Sequence, residues 1–305
     1  MQFLSTRRNA GLLCGALLLA FCTCALAENV TMRFNPPNGL SYIETSTMKV
    51  TRESSAKNDG AGSQAEISKR RVTIHKTKAG YTVDFTPFQV TRIRNGKTVQ
   101  TLSEADLRKA AMTLVLDAKG RCIDVKGASI ENAVGEAMKQ MTPEMRKKFT
   151  IGDYRKRLIE QYKSQWEEEV GKSIGTIIPV GTTETKTETK RLEVGVSAKT
   201  LITKKYAGHV NVHGQDCLRV TETQQADTKS LVAAVKKAMQ SSKAKQPMQL
   251  LGMQYRYEHE YVVNPSVLLN YSESAISTIT STTSTPKGKA TLKMVRSITR
   301  SCELK

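Results

Sequence analysis

The sequence predicts a β-rich α+β protein: an extended, curved antiparallel sheet, half-barrel-like and made of two similar units, packed against amphipathic helices. Two long regions alternate polar and apolar residues, as strands with one solvated face do. Helical periodicity is concentrated between these two regions, from Ser129 to Gly171. Many strands in succession with few helices favour antiparallel meanders.

The first 27 residues have the features of a signal peptide. Arg7 and Arg8 form a charged start, Gly11–Leu19 is a short apolar stretch, and residues 25–27 (Ala-Leu-Ala) form a cleavage site before Glu28. We therefore expect cleavage after Ala27 and a location in the periplasm or outside the cell. No later segment has about 18 consecutive apolar residues, so the mature chain is not expected to span a membrane.

The N-terminal β-rich half, residues 28–128, is predicted to consist of long strands joined by tight turns. Residues 35–39 (Asn-Pro-Pro-Asn-Gly) form a strong turn, and Asn95-Gly96 is the best hairpin turn in the chain. Ser103 begins a capping-box-like motif for a short helix. The predicted strands are Leu40–Glu53, Glu66–Lys76, Tyr81–Arg94, Met112–Asp117 and Arg121–Lys126.

The central helical segment, residues 129–174, is predicted to contain three helical pieces. Ser129 caps the first, Thr142-Pro143 begins the second, and Gly152-Asp153 separates the last and longest piece, Asp153–Gly171. One face of this last helix is apolar, so we expect it to cover the concave face of the sheet. That face carries Tyr154, Leu158, Ile159, Tyr162, Trp166 and Val170.

The C-terminal β-rich half, residues 175–305, is predicted to contain strands and one helix. Gly175–Gly181 is a connector, and Thr182–Glu193 alternates threonine with glutamate and lysine, which predicts a strand exposed on its charged face. Thr228 caps a helix with one apolar face. The remaining predicted strands are Lys199–Val212, Cys217–Gln224, Leu251–Val263, Ser266–Ser281 and Gly288–Cys302.

The two halves share an order of elements. In each, a Pro/Gly turn leads into three strands, a short helix and a further hairpin, which raises the hypothesis of a duplicated unit. With its export signal, Pro/Gly-led strands, the hairpin at residues 117–120 and covering helices, the chain resembles secreted bacterial β-sheet families of unknown function. It also resembles the half-barrel of the periplasmic lipoprotein carriers. The resemblance covers most of the mature chain as element order. It implies an incomplete antiparallel barrel with helices over an apolar concavity that could accept acyl chains.

Three of the six cysteines lie in the predicted signal peptide, and Cys122, Cys217 and Cys302 remain in the mature chain. An oxidising compartment permits one disulfide, and we favour Cys217–Cys302 because both residues lie in the C-terminal half. The cysteine spacings match no zinc pattern and no CxxC motif occurs, so neither a metal site nor a redox enzyme is expected.

The histidines do not predict a catalytic or metal site. His209 and His213 are four residues apart on a predicted strand, which separates them by about 13 Å, too far for one ion. His259 shares a predicted strand face with Tyr255, Tyr257 and Tyr261; this face is either a ligand wall or a surface packed under a helix. No phosphate-binding loop or acyl-enzyme motif is present, so we expect no enzyme activity and no cofactor.

A basic cluster in the central segment suggests an electrostatic contact. Basic residues with interleaved aromatic residues suit an anionic lipid or glycolipid surface, or an acidic envelope protein. Nucleic acid is not an expected partner of an exported protein, and the alternative is a solvated face at two helix ends. The six residues are Arg146, Lys147, Lys148, Arg155, Lys156 and Arg157.

The sequence thus predicts non-catalytic binding of an apolar or amphiphilic, lipid-like ligand between sheet and helices. The apolar wall of this hypothetical site is Tyr154, Leu158, Tyr162 and Trp166. The alternative is an envelope structural or protein-interaction module with a fully packed core. A carrier requires a cavity on the order of 300 Å³ or more, whereas a structural module fills that volume with side chains.

Overall fold

The computed structural model describes residues 28–56, 61–142, 150–241, 249–285 and 288–305. Within these ranges the backbone forms a twelve-stranded antiparallel sheet, a separate two-stranded sheet and several helices. The predicted β-rich α+β class is therefore confirmed. The predicted signal peptide and the predicted contact residues Arg146, Lys147 and Lys148 lie outside the described residues.

The N-terminal half forms a meander of strands interrupted by one short helix, α1 (Glu104–Arg108). Its strands alternate apolar residues toward the core, which is why Val72, Ile74 and Val83 are buried. The strands are β1 (Asn29–Thr31), β2 (Leu40–Ser54), β3 (Gly62–Lys76), β4 (Gly80–Arg94), β5 (Lys97–Thr101), β6 (Met112–Asp117) and β7 (Cys122–Lys126).

The described part of the segment between the two meanders contains α2 (Ala128–Gln140), α3 (Ile151–Glu169) and the 3-10 turn Gly171–Ser173. The second predicted helical piece, from Pro143, lies outside the described residues. In the second meander, α4 (Thr228–Ser241) lies between β11 and β12 in the chain. The strands are β8 (Ile177–Pro179), β9 (Thr183–Arg191), β10 (Ser197–Val212), β11 (Gln215–Ala226), β12 (Gln249–Asn264), β13 (Leu269–Thr285) and β14 (Gly288–Leu304).

Strands of both halves belong to the same large sheet. Its order is β7-β6-β4-β3-β2-β14-β13-β12-β11-β10-β9, with β5 paired to β4. The two halves are joined where β2 pairs with β14, from Tyr42 opposite Leu304 to Ser54 opposite Leu292. β1 and β8, which precede the two meanders, pair with each other. The last strand in sequence therefore occupies the middle of the sheet.

α2 and α3 begin at residues other than those predicted. Thr150 caps α3, since its hydroxyl accepts a hydrogen bond from the Asp153 N–H while the Asp153 carboxylate accepts one from the Thr150 N–H. For α2 the predicted cap Ser129 is wrong, because Gly127 occupies that position with φ +119°. A Cβ at Gly127 would lie 2.8 Å from the carbonyl oxygen of Ala111, so the close approach of two backbones decides this helix start.

The sheet is curved, and the apolar face of α3 packs into its concave side, as predicted. Residues of strands far apart in the sheet order, such as Val83 on β4 and Val262 on β12, belong to one core cluster. Tyr154, Leu158 and Trp166 of α3 pack against that cluster. α4 covers a second cluster around Leu231, Leu250 and Tyr255. Among the described residues, no helix is long and apolar enough to cross a membrane.

The predicted Cys217–Cys302 disulfide is wrong for this structure, in which Cys122, Cys217 and Cys302 are all free thiols. β11 and β14, which carry Cys217 and Cys302, are separated in the sheet by β12 and β13. Three strand spacings of about 4.8 Å exceed the Cα separation of about 7 Å that a disulfide tolerates. Burial raises the pKa of the Cys217 thiol to about 11, so this thiol is protonated and unreactive at neutral pH.

Candidate ligand-binding cleft

A cleft of about 560 Å³ lies between the C-terminal end of α3 and the concave face of the sheet. A smaller lobe of about 210 Å³ adjoins it, because Glu44, Arg70, Phe85, Glu169 and Arg300 line both spaces. The interior of this protein is therefore not filled by side chains at the end of α3.

Charged side chains from seven different strands form the floor of the cleft. The register of the sheet places them in neighbouring positions, with Glu44 opposite Arg70 and Glu273 opposite Arg300. Glu222 lies opposite both Lys204 and His259. We call these seven side chains the charged belt: Glu44, Arg70, Lys204, Glu222, His259, Glu273 and Arg300.

Five of the seven belt side chains form ion pairs of limited exposure with one another. The Arg70 guanidinium lies 2.8 Å from the Glu44 carboxylate, and the Arg300 guanidinium lies 3.1 Å from that of Glu273. His259 Nε2 lies 3.1 Å from Glu273 on its other side. The side chains of Glu44 and Glu273 are each 14% exposed. The ion pairs therefore compensate these carboxylates for the hydration that burial removes.

The electrostatics of the belt follow from this pairing. Burial alone would raise the pKa of Glu273, but hydrogen bonds from His259 and Arg300 and the charge of Arg300 hold it below its usual value. Burial would likewise lower the pKa of Arg300, and the carboxylates around it, Glu273 first, raise it instead. Both groups are therefore charged at neutral pH.

Arg70 connects the belt to an aromatic side chain. Its guanidinium carbon lies 4.5 Å from the centroid of the Phe85 ring, which is a cation–π distance. Its Nε is buried and has no hydrogen-bond partner within the described ranges. Arg70 is thus fixed by Glu44 and Phe85 while one of its donors is unused.

The remaining walls are of mixed character. The end of α3 and the following turn supply Glu168, Glu169, Lys172 and Ser173, and the apolar part comes from both sheets and from the loop before β13. A ligand in the cleft would therefore contact both charged and apolar surface. The principal apolar lining residues are Met32, Tyr42, Ile178, Tyr206, Tyr261, Val263, Leu268 and Leu269.

Only two of the four residues of the predicted apolar wall line the space at the end of α3. Tyr162 and Trp166 line the smaller lobe, whereas Tyr154 and Leu158 pack into the core. Trp166 is fixed in place, since its Nε1–H donates a 2.9 Å hydrogen bond to the carbonyl of Gly120 and its ring meets that of Phe34 edge-on.

The three predicted basic contact residues that the structure describes, Arg155, Lys156 and Arg157, do not line the cleft. Arg155 forms an ion pair with Glu131 of α2, and Lys156 and Arg157 follow it near the start of α3. The smaller lobe begins at Tyr162, about five residues or roughly 7.5 Å of helix beyond Arg157, and Arg155, Lys156 and Arg157 line neither space. Any contact made by these cations is separate from the cleft.

Sequence reasoning missed most of the belt but contained one signal for it. His259 was placed on the same strand face as Tyr257 and Tyr261, and in the structure His259 and Tyr261 both line the cleft. Tyr255, by contrast, packs under α4. The other belt residues come from strands whose pairing the sequence does not specify.

His209, one of the two histidines predicted to lie four residues apart on a strand, contacts two acidic side chains. His209 Nδ1 lies 2.8 Å from Asp216 and its Nε2 lies 3.2 Å from Glu28, and Asp216 raises the pKa of His209. Within the part of the chain that the structure describes, no group of three or more His, Cys, Asp or Glu side chains could hold a metal ion.

No protein-family model and no curated protein matches this chain. Among solved structures, lipovitellin, from work on "lipid-protein interactions in lipovitellin", is similar with 11% sequence identity and a TM-score of 0.40. The match covers 88% of this chain and 25% of the lipovitellin chain, so this chain spans about a quarter of that protein's length. At this level the two share a general β-sheet architecture only.

Proposed function

We propose that the protein is an exported, non-catalytic binding protein that holds an amphiphilic, lipid-like molecule in the cleft beneath the end of α3. The observation that carries this proposal is a space of about 560 Å³ lined by both apolar and charged side chains, with the charged belt on its floor. Ligand pockets have volumes of about 300–1,000 Å³ and combine apolar surface with a few polar groups that orient the ligand.

The volume is the first support for a ligand. Protein interiors are close-packed, and voids larger than a water molecule are few. α3 is 19 residues long and its apolar face packs against the core cluster, yet an open cleft lies beneath its C-terminal end. A fully packed structural core would place Leu, Met or Val side chains there.

The charges of the belt indicate the chemistry of the ligand's polar end. The belt contains three carboxylates, two guanidinium groups, one ammonium group and His259, so its carboxylates equal its Lys and Arg cations in number. A strongly anionic group would find no net positive charge at this floor. We therefore assign the polar end to a zwitterionic or uncharged hydrogen-bonding group, with the apolar part against the walls.

The alternative is an envelope structural or protein-interaction module. It is favoured by the pairing of Arg70, Arg300 and His259 with carboxylates of the same chain, because such a network also fixes strand order without a ligand. Under this alternative the cleft contains water. Occupancy of the cleft distinguishes the two functions.

The first test is native mass spectrometry of the mature protein purified from the envelope without detergent, followed by denaturing mass spectrometry of the same sample. We expect extra mass that is lost on denaturation and partitions into organic solvent. A bare mass in repeated preparations, together with no uptake of offered lysophosphatidylcholine, would contradict the proposal. N-terminal sequencing of the same sample tests export, with Glu28 as the expected first residue.

A fluorescence titration locates the binding site. Trp166 is the one tryptophan of the sequence and lines the smaller lobe, so its emission should change as lysophosphatidylcholine binds. Ser173→Phe places a ring in the cleft and should weaken binding about tenfold or more. Thr98→Phe, on the exposed strand β5, is the matched control and should bind as the wild type does. Equal binding by both variants would place the ligand elsewhere.

We further propose that the cations at the start of α3 contact an anionic lipid or glycolipid surface, or an acidic envelope protein. The chain has 47 Lys and Arg against 28 Asp and Glu, which supports attraction to anionic partners. Lys156→Glu should reduce co-sedimentation with phosphatidylglycerol vesicles at low salt, while Ser173→Phe should not. Binding that is insensitive to both salt and Lys156→Glu would contradict this contact.

A further inference from the structure

The two edges of the twelve-stranded sheet are not equivalent. The β7 edge is short, and α3 packs beside it. At the other edge, β9 pairs with β10, and the described part of the chain supplies no strand on its outer side. β9 is nine residues long and exposed throughout, except for half-buried Lys190. Such an edge presents unpaired N–H and C=O groups to any strand that can align with it.

The hydrogen bonds between β9 and β10 show which residues face outward. The Leu192 N–H donates to Val196 and the Tyr206 N–H donates to Thr182, with an unbroken register between these two points. Bonding alternates along an antiparallel strand, so the even-numbered residues of β9 bond to β10. The odd-numbered residues direct their N–H and C=O groups to the open edge: Thr183, Thr185, Thr187, Thr189 and Arg191.

The charged side chains of β9 are complementary to themselves when the strand is turned end to end. If a second β9 pairs antiparallel with Thr187 opposite Thr187, then Glu184 lies opposite Lys190 and Lys186 lies opposite Glu188. The same alignment places outward-bonding residues opposite each other, because odd numbers meet odd numbers. The opposite charges then occupy the non-hydrogen-bonded pairs, where side chains are closest.

The neighbouring alignments of the two strands are unfavourable. Sliding one strand by two residues places Glu184 opposite Glu188 and Lys186 opposite Lys186, so like charges meet. A charged edge normally blocks association. Here the alternation blocks the neighbouring registers and leaves the two-fold alignment at Thr187 favourable.

We propose that a second copy of this chain pairs with β9 and forms a two-fold symmetric dimer with one continuous sheet. The symmetry axis passes between the two Thr187 residues, and the five outward-facing residues of each strand make about ten backbone hydrogen bonds across it. In one protomer Lys186 pairs with Glu188 of its own strand at 2.9 Å, with side chains 63% and 43% exposed. In the dimer, Lys186 pairs instead with Glu188 of the second copy, and Glu188 pairs with Lys186 of the second copy.

Charge reversal tests the alignment by sedimentation-equilibrium ultracentrifugation of the mature protein across a concentration series. Lys186→Glu and Glu188→Lys, made singly, each place two like-charge pairs in the interface and should weaken dimerisation about tenfold or more. The double variant Lys186→Glu/Glu188→Lys restores both pairs and should dimerise as the wild type does. The two single variants mixed together should form a heterodimer, because each supplies the charge that the other needs.

A backbone test is independent of charge. Thr187→Pro removes an N–H that bonds to nothing in the protomer and lies on the axis of the dimer, so it should abolish association without unfolding the chain. Circular dichroism of each variant verifies the fold. A wild type that is monomeric up to about millimolar concentration, or a dimer that resists both single charge reversals, would overturn the proposal.

Discussion

Glu273 is the residue on which the centre of the charged belt depends, since it accepts hydrogen bonds from both His259 and Arg300. Glu273→Gln keeps the shape of the side chain but leaves Arg300 without its nearest countercharge. We expect the free energy of unfolding at pH 7 to fall by roughly 1–3 kcal/mol, measured by urea denaturation. Glu53→Gln is the control; its carboxylate is 62% exposed and lies 3.7 Å from Lys293, so it should change stability by less than about 0.5 kcal/mol.

The same residue predicts a pH dependence. The pKa of Glu273 in the folded protein lies below the usual glutamate value of 4.5, so its contribution to stability is fully present above about pH 4.5. That contribution is lost as the pH falls through the folded-state pKa. Urea denaturation at a series of pH values from 6 downward should therefore show the wild type and Glu273→Gln converging in acid. A constant difference between them would contradict the role assigned to this carboxylate.

Substitutions at two glycines in hairpin turns distinguish the cost of backbone strain from the cost of a packing clash. Gly120 has φ +81°, and a Cβ there would lie 2.7 Å from the Phe34 ring; Gly214 has φ +76° with no atom within 4 Å. Gly214→Ala should cost about 1 kcal/mol for the left-handed backbone alone. Gly120→Ala should cost about 2–4 kcal/mol because Phe34 and Trp166 must also shift. Equal losses of unfolding free energy in the two variants, in thermal or urea unfolding, would show that the Phe34 ring moves aside at little cost.

At the scale of single elements, helical periodicity identified α3 and the face that packs against the core, because that information is local. Tyr154, Leu158 and Trp166 repeat at helical spacing, and each packs toward the core. The belt is different. Glu44 and Arg300 become neighbours on the floor only because β2 pairs with β14, and nothing local to either strand specifies that pairing. For the same reason the Cys217–Cys302 pairing was predicted wrongly.

The capping box of α3 is expected to stabilise the first turns of this helix. Thr150→Ala removes the hydroxyl that accepts the Asp153 N–H at 3.1 Å, which should cost about 1 kcal/mol. Amide hydrogen exchange in the first turns of α3 should become about fivefold faster, since 1 kcal/mol is about that factor in an opening equilibrium. Thr98→Ala, on exposed β5, is the control. Unchanged exchange in α3 would mean that core packing alone sets its stability.

At the scale of the whole molecule, proline distinguishes the middle of the sheet from its edge. Thr299 lies on β14 between β13 and β2, so Thr299→Pro disturbs a strand that is bonded on both sides. We expect a loss of about 3 kcal/mol or more in urea unfolding, or failure to fold. Thr187→Pro on β9 should change the stability of the protomer by less than about 1 kcal/mol, because its N–H faces outward. Equal losses would contradict the assigned bonding pattern of β9.

The position of β14 has a consequence for how the chain reaches this structure. Strands β2 to β7 can form a meander by themselves, but the bonding partner of β2 on its other side is β14, the last strand in sequence. More than 230 residues separate the end of β2 from the start of β14. Until β14 pairs with β2, the N-terminal meander has a long edge open to wrong partners. Completion of the sheet is therefore a late, non-local event, of the kind that makes folding slow and dependent on protection by chaperones.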